Sequence, residues 1–255
     1  MCIRDRFDKV HEMRSRIVSS PSFSGDRILG AILFEKTMNL KISGKGSAQY
    51  LWQEKQVVPF LKVDKGLDEE NNGVQLMKPN PGLEELLRQA IKKEVFGTKM
   101  RSVIKNANEN GVAAIVKQQF EIAKKIIAAK LVPIIEPEVD IHCETKAEAE
   151  TMLLEHLMDH IEQLSPDQKV LLKLTIPNEN NLFAPCMNHP NVIRVFALSG
   201  GYSRDEANSR LAQNSGMVAS FSRALTEGLS VQQSDEEFNL MLDSSIESIY
   251  QASIT

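Results

Sequence analysis

One lysine of this chain stands inside a run of apolar residues, where an amine is poorly solvated. The run is VLLKLTIP, and it delivers Lys173 at the end of a predicted buried strand. Burial and neighbouring cations favour a neutral amine, and its lone pair can then attack a carbonyl carbon. A lone lysine in such a run is more often a strand end whose ammonium reaches water. Lys173 is therefore a candidate Schiff-base nucleophile that needs support from other residues.

Other apolar runs also end on residues able to do chemistry. VVPFLKVDKG carries Lys62, FGTKMRS carries Lys99 and Arg101, and VPIIEPEV carries Glu136 and Glu138. Carboxylates there could transfer protons, and cations could hold an anionic substrate. Taken singly, EPE is more simply a solvated proline turn, and TKMRS a basic strand exit. Repeated placement at successive strand ends favours one shared site.

Two later motifs favour a phosphate-binding loop. VFALSGGYS contains Ser199, Gly200 and Gly201, and SFSRAL contains Ser222 and Arg223. A glycine lets backbone N–H groups approach phosphate oxygens, and arginine supplies positive charge. SGG alone is usually only a turn.

These motifs lie on a repeated rhythm of strand and helix. The amphipathic stretch Val116, Phe120, Ala123 and Ile127 has helical spacing, and it alternates with short, continuously apolar runs typical of strands covered on both faces. Strands are predicted at 30–34, 57–62, 95–100, 132–136, 170–175, 192–198 and 217–222. The alternation predicts an α/β fold with a parallel sheet, either open and doubly wound or closed. No GxGxxG follows an early strand, and only a closed ring brings all the strand ends to one mouth, so we predict a TIM (β/α)8 barrel.

Only seven strands are predicted, and the chain opens on a helical pattern, FDKVHEMRSRIVSS, without a strand before it. We therefore expect the barrel to lack its first strand. Residues 1–6, MCIRDR, share no pattern with the rest of the chain and are expected to be foreign or artefactual. Residues 7–255 are expected to form a single barrel domain that is incomplete at its N-terminus.

Composition excludes several classes of partner. The net charge of -4, from 30 basic and 34 acidic residues, argues against nucleic acid as a general partner. No apolar stretch is long enough for a membrane span, and the widely spaced cysteines indicate reduced thiols in a cytoplasmic protein. His156 and His160 have helical spacing, but LLEHLMDH lacks the HExxH arrangement, so no metal is predicted.

In their order, the motifs resemble those of the class I fructose-bisphosphate aldolases of bacterial type. The resemblance runs from about Phe7 to the end of the chain, through SPSFSGDRILGAILFEKTM, VVPFLKVDKG, FGTKMRS, LVPIIEPEV, LLKLTIP, VFALSGGYSRDEAN and SFSRAL. It implies reversible cleavage of fructose 1,6-bisphosphate to dihydroxyacetone phosphate and glyceraldehyde 3-phosphate, in glycolysis and gluconeogenesis. It implies no cofactor, a sugar phosphate as the small-molecule partner, and a homo-oligomer as an expected assembly.

The resemblance also implies roles for single residues. Lys173 matches the Schiff-base lysine, Glu136 and Glu138 match the acid/base carboxylates, and Lys99 matches a residue lining the site. Substrate or phosphate binding is implied for Lys62, Arg101, Ser199, Gly200, Gly201, Ser222 and Arg223. Relatives often have glycine where Ser222 stands. The family's aspartate near the carbon-4 hydroxyl would lie on the first strand, and no residue here takes its place.

Two alternatives stay open at this point. One is another Schiff-base barrel aldolase, such as a transaldolase, which would share the lysine but not two phosphate sites. The other is an inactive truncated fragment.

Overall fold

A computed structural model describes residues 3–255 of the chain, with side chains at residue 10 and from residue 12 onward. The strands are β1 (Gly30–Leu33), β2 (Lys41–Ile42), β3 (Lys45–Gly46), β4 (Val58–Lys62), β5 (Val74–Gln75), β6 (Gly97–Ile104), β7 (Val132–Val139), β8 (Val170–Thr175), β9 (Val192–Leu198) and β10 (Val218–Ala219). The helices are α1 (Ile3–Ser19), α2 (Glu35–Met38), α3 (Ser47–Tyr50), α4 (Leu83–Lys92), α5 (Glu109–Ala128), α6 (Lys146–Ile161), α7 (Ala184–Asn188), α8 (Arg204–Leu211), α9 (Arg223–Thr226) and α10 (Asp235–Ser253), and a π-helical turn spans Leu51–Lys55.

Seven strands form one curled parallel sheet. Their order is β1-β4-β6-β7-β8-β9-β10, which is also their order along the chain. Short β5 pairs antiparallel with the far end of β6. Among the described residues β1 and β10 are not paired with each other, so the sheet has two edges. The predicted α/β barrel with one strand fewer than eight is confirmed. Residues 1–6 were predicted to be foreign. The first two of these residues, and the side chains of all six, lie outside the described part of the chain, so this stays a prediction.

Side chains alternate between the two faces of each parallel strand. The outward-facing ones, such as Met100, Ile135 and Leu172, join helix residues such as Ile115 and Leu153 in the large hydrophobic core. On the inner face, a smaller apolar cluster forms a floor inside the sheet. This floor consists of Phe60, Ile134 and Leu171, with Ile32, Val58, Val132 and Phe196 packed against it.

Gly97, which lies beside this apolar floor, leaves no room for a side chain. A Cβ on Gly97 would lie 2.2 Å from the carbonyl oxygen of Val132 and 3.0 Å from the ring of Phe60. Only a residue without a side chain therefore lets β6 and β7 pair while the Phe60 ring fills the inside.

All seven predicted strands are present, but their ends differ from the prediction. The predicted ends at residues 100 and 136 were wrong, because β6 and β7 remain paired to Ile104 and Val139. The apolar run stops where Arg101 and Glu138 face inward, although the backbone ladder continues. EPE is thus part of a central strand and not a solvated turn. β10 is shorter than predicted and covers only Val218–Ala219.

The helices cover the outer face. α5 begins at an N-cap, where the Asn108 side chain accepts a hydrogen bond from the Gly111 N–H at 3.0 Å. Its predicted stripe is buried at Val116, Phe120 and Ala123. Within the described part of the chain, no helix has both the length and the hydropathy that crossing a membrane requires.

Candidate active site

A charged layer lies directly above the apolar floor. In β4 the floor residue Phe60 is followed on the same face by Lys62, and in β8 Leu171 is followed by Lys173. Side chains two positions apart in a strand point the same way, so each strand presents an apolar residue and then a charged one. The sequence therefore places several ionisable groups in this layer at the carboxyl end of the sheet. We call it the charged ring, and it contains Lys62, Lys99, Glu136 and Lys173.

The centre of this ring is a carboxylate between two amines. Lys173 Nζ lies 3.0 Å from Glu136 Oε1, and Lys99 Nζ lies 2.6 Å from Glu136 Oε2. The second contact is an ion pair without the angles of a hydrogen bond, since Oε2 accepts none from the residues that the structure describes. The exposed fractions of Lys173, Lys99 and Glu136 are 9%, 6% and 3%. Lys173 thus points into the sheet and does not reach out to bulk water.

The backbone of Glu136 is held from the helix layer. Gln119 of α5, fully buried, accepts a hydrogen bond from the Glu136 N–H at 3.0 Å. Its amide nitrogen donates to Ser102 Oγ at 2.6 Å, which ties α5 to β6 as well. The carboxylate is therefore presented by a strand fixed on its outer side.

Asp64 extends the ring, and the sequence reasoning missed it. Its carboxylate Oδ1 accepts hydrogen bonds from Lys62 Nζ and from the Gly66 N–H, the latter at 3.3 Å. Its Oδ2 lies 4.0 Å from Lys99 Nζ. The signal was present in FLKVDKG, because Asp64 follows Lys62 by two positions at the end of a buried strand.

Arg101 and Glu138 form a second charged pair next to the ring. Arg101 Nε and Nη2 donate to the two oxygens of Glu138 at 2.6 and 2.8 Å, a bidentate geometry. The hydrogen bonds that Arg101 donates to this carboxylate raise the pKa of Arg101, and the charges of Glu136 and Asp64 add to the effect. Arg101 therefore fixes the position of the Glu138 side chain.

The predicted phosphate loop lies at the same end of the sheet. Ser199 follows β9 and is buried, and Gly200 and Gly201 have φ values of 63° and 133°. These values lie in the region that favours glycine. The Arg223 guanidinium is 3.8 Å from the position that a Cβ of Gly201 would take. A cleft of about 360 Å³ separates this loop from α9, and it is lined by Gly201, Tyr202, Ser203, Arg223, Ala224, Thr226 and Glu227.

Ser222 is exposed and precedes α9, where its carbonyl oxygen accepts the N–H of Thr226. Among the predicted site residues, the structure brings Lys99 and Lys173 into contact with Glu136, and Ser222 directly precedes Arg223 of α9.

The two helical histidines have ordinary partners. His156 Nε2 lies 2.8 Å from Glu109 Oε1, and His160 Nδ1 lies 3.0 Å from the carbonyl oxygen of His156. His160 also stacks at a tilt against Phe120. Both belong to the helix layer, away from the charged ring.

Comparison with known proteins gives the family. The family model described as fructose-bisphosphate aldolase class-I matches residues 5–191. The chain is 64% identical to the fructose-bisphosphate aldolase class 1 of Synechocystis sp., over 98% of this chain and 83% of that one. It is 56% identical to the protein of the same name from Clostridium acetobutylicum, over 98% of this chain and 85% of that one.

A solved structure of the fructose-bisphosphate aldolase of Plasmodium falciparum has the same fold. It superposes with a TM-score of 0.79 at 21% identity, covering 98% of this chain and 86% of the other. The family match and these two relatives show that the chain belongs to the class I fructose-bisphosphate aldolases.

Proposed function

We propose that this lyase reversibly cleaves fructose 1,6-bisphosphate to dihydroxyacetone phosphate and glyceraldehyde 3-phosphate, with Lys173 as the Schiff-base nucleophile. The observation that carries the proposal is the contact of 3.0 Å between Lys173 Nζ and the buried carboxylate of Glu136. A carboxylate at that distance can take the proton that the amine must lose before it attacks a ketone.

The covalent steps follow from this geometry. The Lys173 nitrogen attacks carbon 2 of the sugar, and the ketone oxygen becomes the hydroxyl of a carbinolamine. Glu136 returns a proton to that hydroxyl, which leaves as water, and a protonated imine forms. When the Glu136 carboxylate takes the proton of the carbon-4 hydroxyl, the bond between carbons 3 and 4 breaks, and its electrons move into the iminium, which becomes an enamine. Glyceraldehyde 3-phosphate leaves, and Glu136 gives this proton to carbon 3, which restores the iminium. Water attacks the imine and releases dihydroxyacetone phosphate.

Lys99 and Glu138 support these proton transfers. Lys99 Nζ lies 2.6 Å from Glu136 Oε2 and attracts this carboxylate, which fixes its position beside Lys173. Glu138 is held by Arg101 and lies on the same face of β7 as Glu136, so it is placed to exchange protons with groups at the mouth of the sheet.

Two separate cationic regions support a doubly phosphorylated substrate. One contains Lys62 of the charged ring and Arg101 beside it, and the other combines the loop 199–201 with Arg223. A phosphate at the glycine loop would meet the Arg223 guanidinium, at the end of a barrel where phosphates usually bind. In the structure the N–H groups of Gly201 and Tyr202 donate to the Ser199 carbonyl oxygen at 2.7 and 2.9 Å. Ser222 adjoins the second region and adds a hydroxyl donor.

A matched pair of lysine variants, one on β8 and one just before it, tests the proposal. K173M removes the nucleophile and should lower kcat for fructose 1,6-bisphosphate cleavage by more than about 1,000-fold. K169M, just before the opposite end of the same strand, removes a lysine whose Nζ donates to Pro190 O, and it should keep wild-type kcat. Substantial activity in K173M would refute the assignment.

Domain boundaries, assembly and location stay predictions. A barrel domain at residues 7–255 predicts that deleting residues 1–6 leaves the urea midpoint unchanged. The homo-oligomer predicts a mass above 28.5 kDa by light scattering. Cell fractionation tests the cytoplasmic location.

A further inference from the structure

Asp64 is a buried carboxylate between two lysines of the site. Only 3% of its side chain is exposed. It contacts Lys62 of β4 through Oδ1, while Oδ2 lies 4.0 Å from Lys99 Nζ of β6. Since β4 and β6 are neighbours, with Lys62 opposite Lys99 in register, Asp64 spans the gap between two adjacent amines.

The local backbone uses only one of the two oxygens of the Asp64 carboxylate. The Gly66 N–H requires only Oδ1, and Oδ2 accepts no hydrogen bond from any residue that the structure describes. Burying such an oxygen is costly unless nearby positive charge compensates it. Lys99 is the cation that Oδ2 faces, so the position of this oxygen indicates an electrostatic role towards Lys99.

We propose that Asp64 is a positioning residue that holds Lys62 and Lys99 so that Lys173 is the amine free to react. The proposal rests on the proposed function. The charged groups form a chain of alternating sign, in the order Lys62, Asp64, Lys99, Glu136 and Lys173.

The order of these charged groups gives the three lysine amines different surroundings. Lys99 lies between two carboxylates, Asp64 and Glu136, and both attract its Nζ. Among the residues that the structure describes, Lys173 forms an ion pair with Glu136 alone. Asp64 therefore holds the Lys99 side chain in place, and Glu136 can accept a proton from Lys173. Arg101 is occupied by Glu138 and does not replace Lys99 in this arrangement.

The variant D64N tests the proposal because it keeps the shape of the side chain and removes its charge. The amide oxygen can still accept the Gly66 N–H. Weakening the hold on Lys99 misaligns Glu136 with Lys173, so kcat should fall about 10- to 100-fold. Loss of one negative charge beside Lys62 favours an anionic substrate, so KM should stay the same or fall. A merely structural role would instead lower kcat and raise KM together.

Two further variants complete the experiment. D64E retains a carboxylate and should recover part of the kcat lost in D64N. D68N alters an exposed aspartate in the following loop and should behave as wild type. Wild-type kcat in D64N, a rise of KM with the fall of kcat, or D64E no better than D64N would each overturn the proposal.

Should D64N fail to fold, the kcat of K62M is divided by the kcat of the double variant K62M/D64N, and this ratio is used as the test instead. The double variant removes both charges of the Lys62–Asp64 pair, and a ratio of about 10 or more is expected because Lys99 still loses Asp64. A ratio near one overturns the proposal. If the wild-type protein is inactive, the proposed function is wrong, and so is this role of Asp64. If the wild-type protein is active and D64N has the same kcat, only the role of Asp64 is overturned.

Discussion

Replacing Lys146 by methionine should destabilise the fold through the charge that it leaves behind. Lys146 and Glu150 form an ion pair on α6, with side chains only 4% and 1% exposed. Lys146 Nζ also donates to the carbonyl oxygen of Ile176 at 2.9 Å and to Asn178 Oδ1 at 3.0 Å, in the segment that follows β8. Without Lys146, Glu150 keeps one hydrogen bond, from the Asn178 N–H at 2.9 Å.

The expected cost of K146M follows from that geometry. Removing one partner of a buried ion pair costs about 3 to 5 kcal/mol, because the other charge stays buried and uncompensated. At an m-value of about 3 kcal/mol/M, this lowers the urea midpoint by roughly 1 to 1.7 M.

The pH dependence of this cost has a definite sign. Burial already raises the pKa of Glu150 above 4.5, and loss of Lys146 should raise it further. A carboxyl whose folded pKa is raised stabilises the fold below its unfolded pKa, and this stability is lost as the pH rises through the folded pKa. K146M should therefore be more destabilised at pH 8 than at pH 5.

Urea unfolding followed by circular dichroism at both pH values measures these effects. The double variant K146M/E150Q removes both charges and keeps an acceptor for the Asn178 N–H, so it should recover more than half of the loss. K124M, an exposed lysine on α5, should change the free energy of unfolding by less than about 0.5 kcal/mol. A loss below about 1 kcal/mol in K146M, or a double variant no more stable than the single one, would refute the reasoning.

Two further predictions concern packing and thiol chemistry. G97A should lose at least about 2 kcal/mol of stability, since its Cβ would meet the Val132 carbonyl oxygen, whereas G46A has open space and should lose less than about 0.5 kcal/mol; equal losses by calorimetry would contradict this. Burial raises the pKa of Cys186 to about 12, so iodoacetamide at pH 8 should label it only after unfolding, and labelling of the native protein would count against the packing. The unfolded thiol ionises near pH 9.0, so this group should lower stability as the pH rises from about 9 to about 12.

Much of the site could be predicted because strand geometry is periodic. Lys173, Glu136 and Lys99 follow apolar runs, and parallel strands bring their carboxyl ends to one edge. The direct contacts among these side chains depend on register, which no local pattern specifies. Asp64 was missed because it lies beyond the strand end, where an acidic residue has the appearance of a loop.

Two features of the structure could not be predicted from the sequence, for related reasons. The continuation of β6 and β7 was not predicted, because inward-facing Arg101 and Glu138 end the apolar run without ending the backbone pairing. The support of Glu136 by Gln119 comes from a helix residue in the preceding segment, and only the packing of α5 on the sheet shows it.

Trapping of the Schiff base tests the central claim most directly. The wild-type protein is incubated with dihydroxyacetone phosphate, reduced with borohydride and digested, and the modified peptide is identified by mass spectrometry. One adduct is expected, on Lys173, in the peptide containing VLLKLTIP. An adduct on Lys99 or Lys62, or none at all, would contradict it.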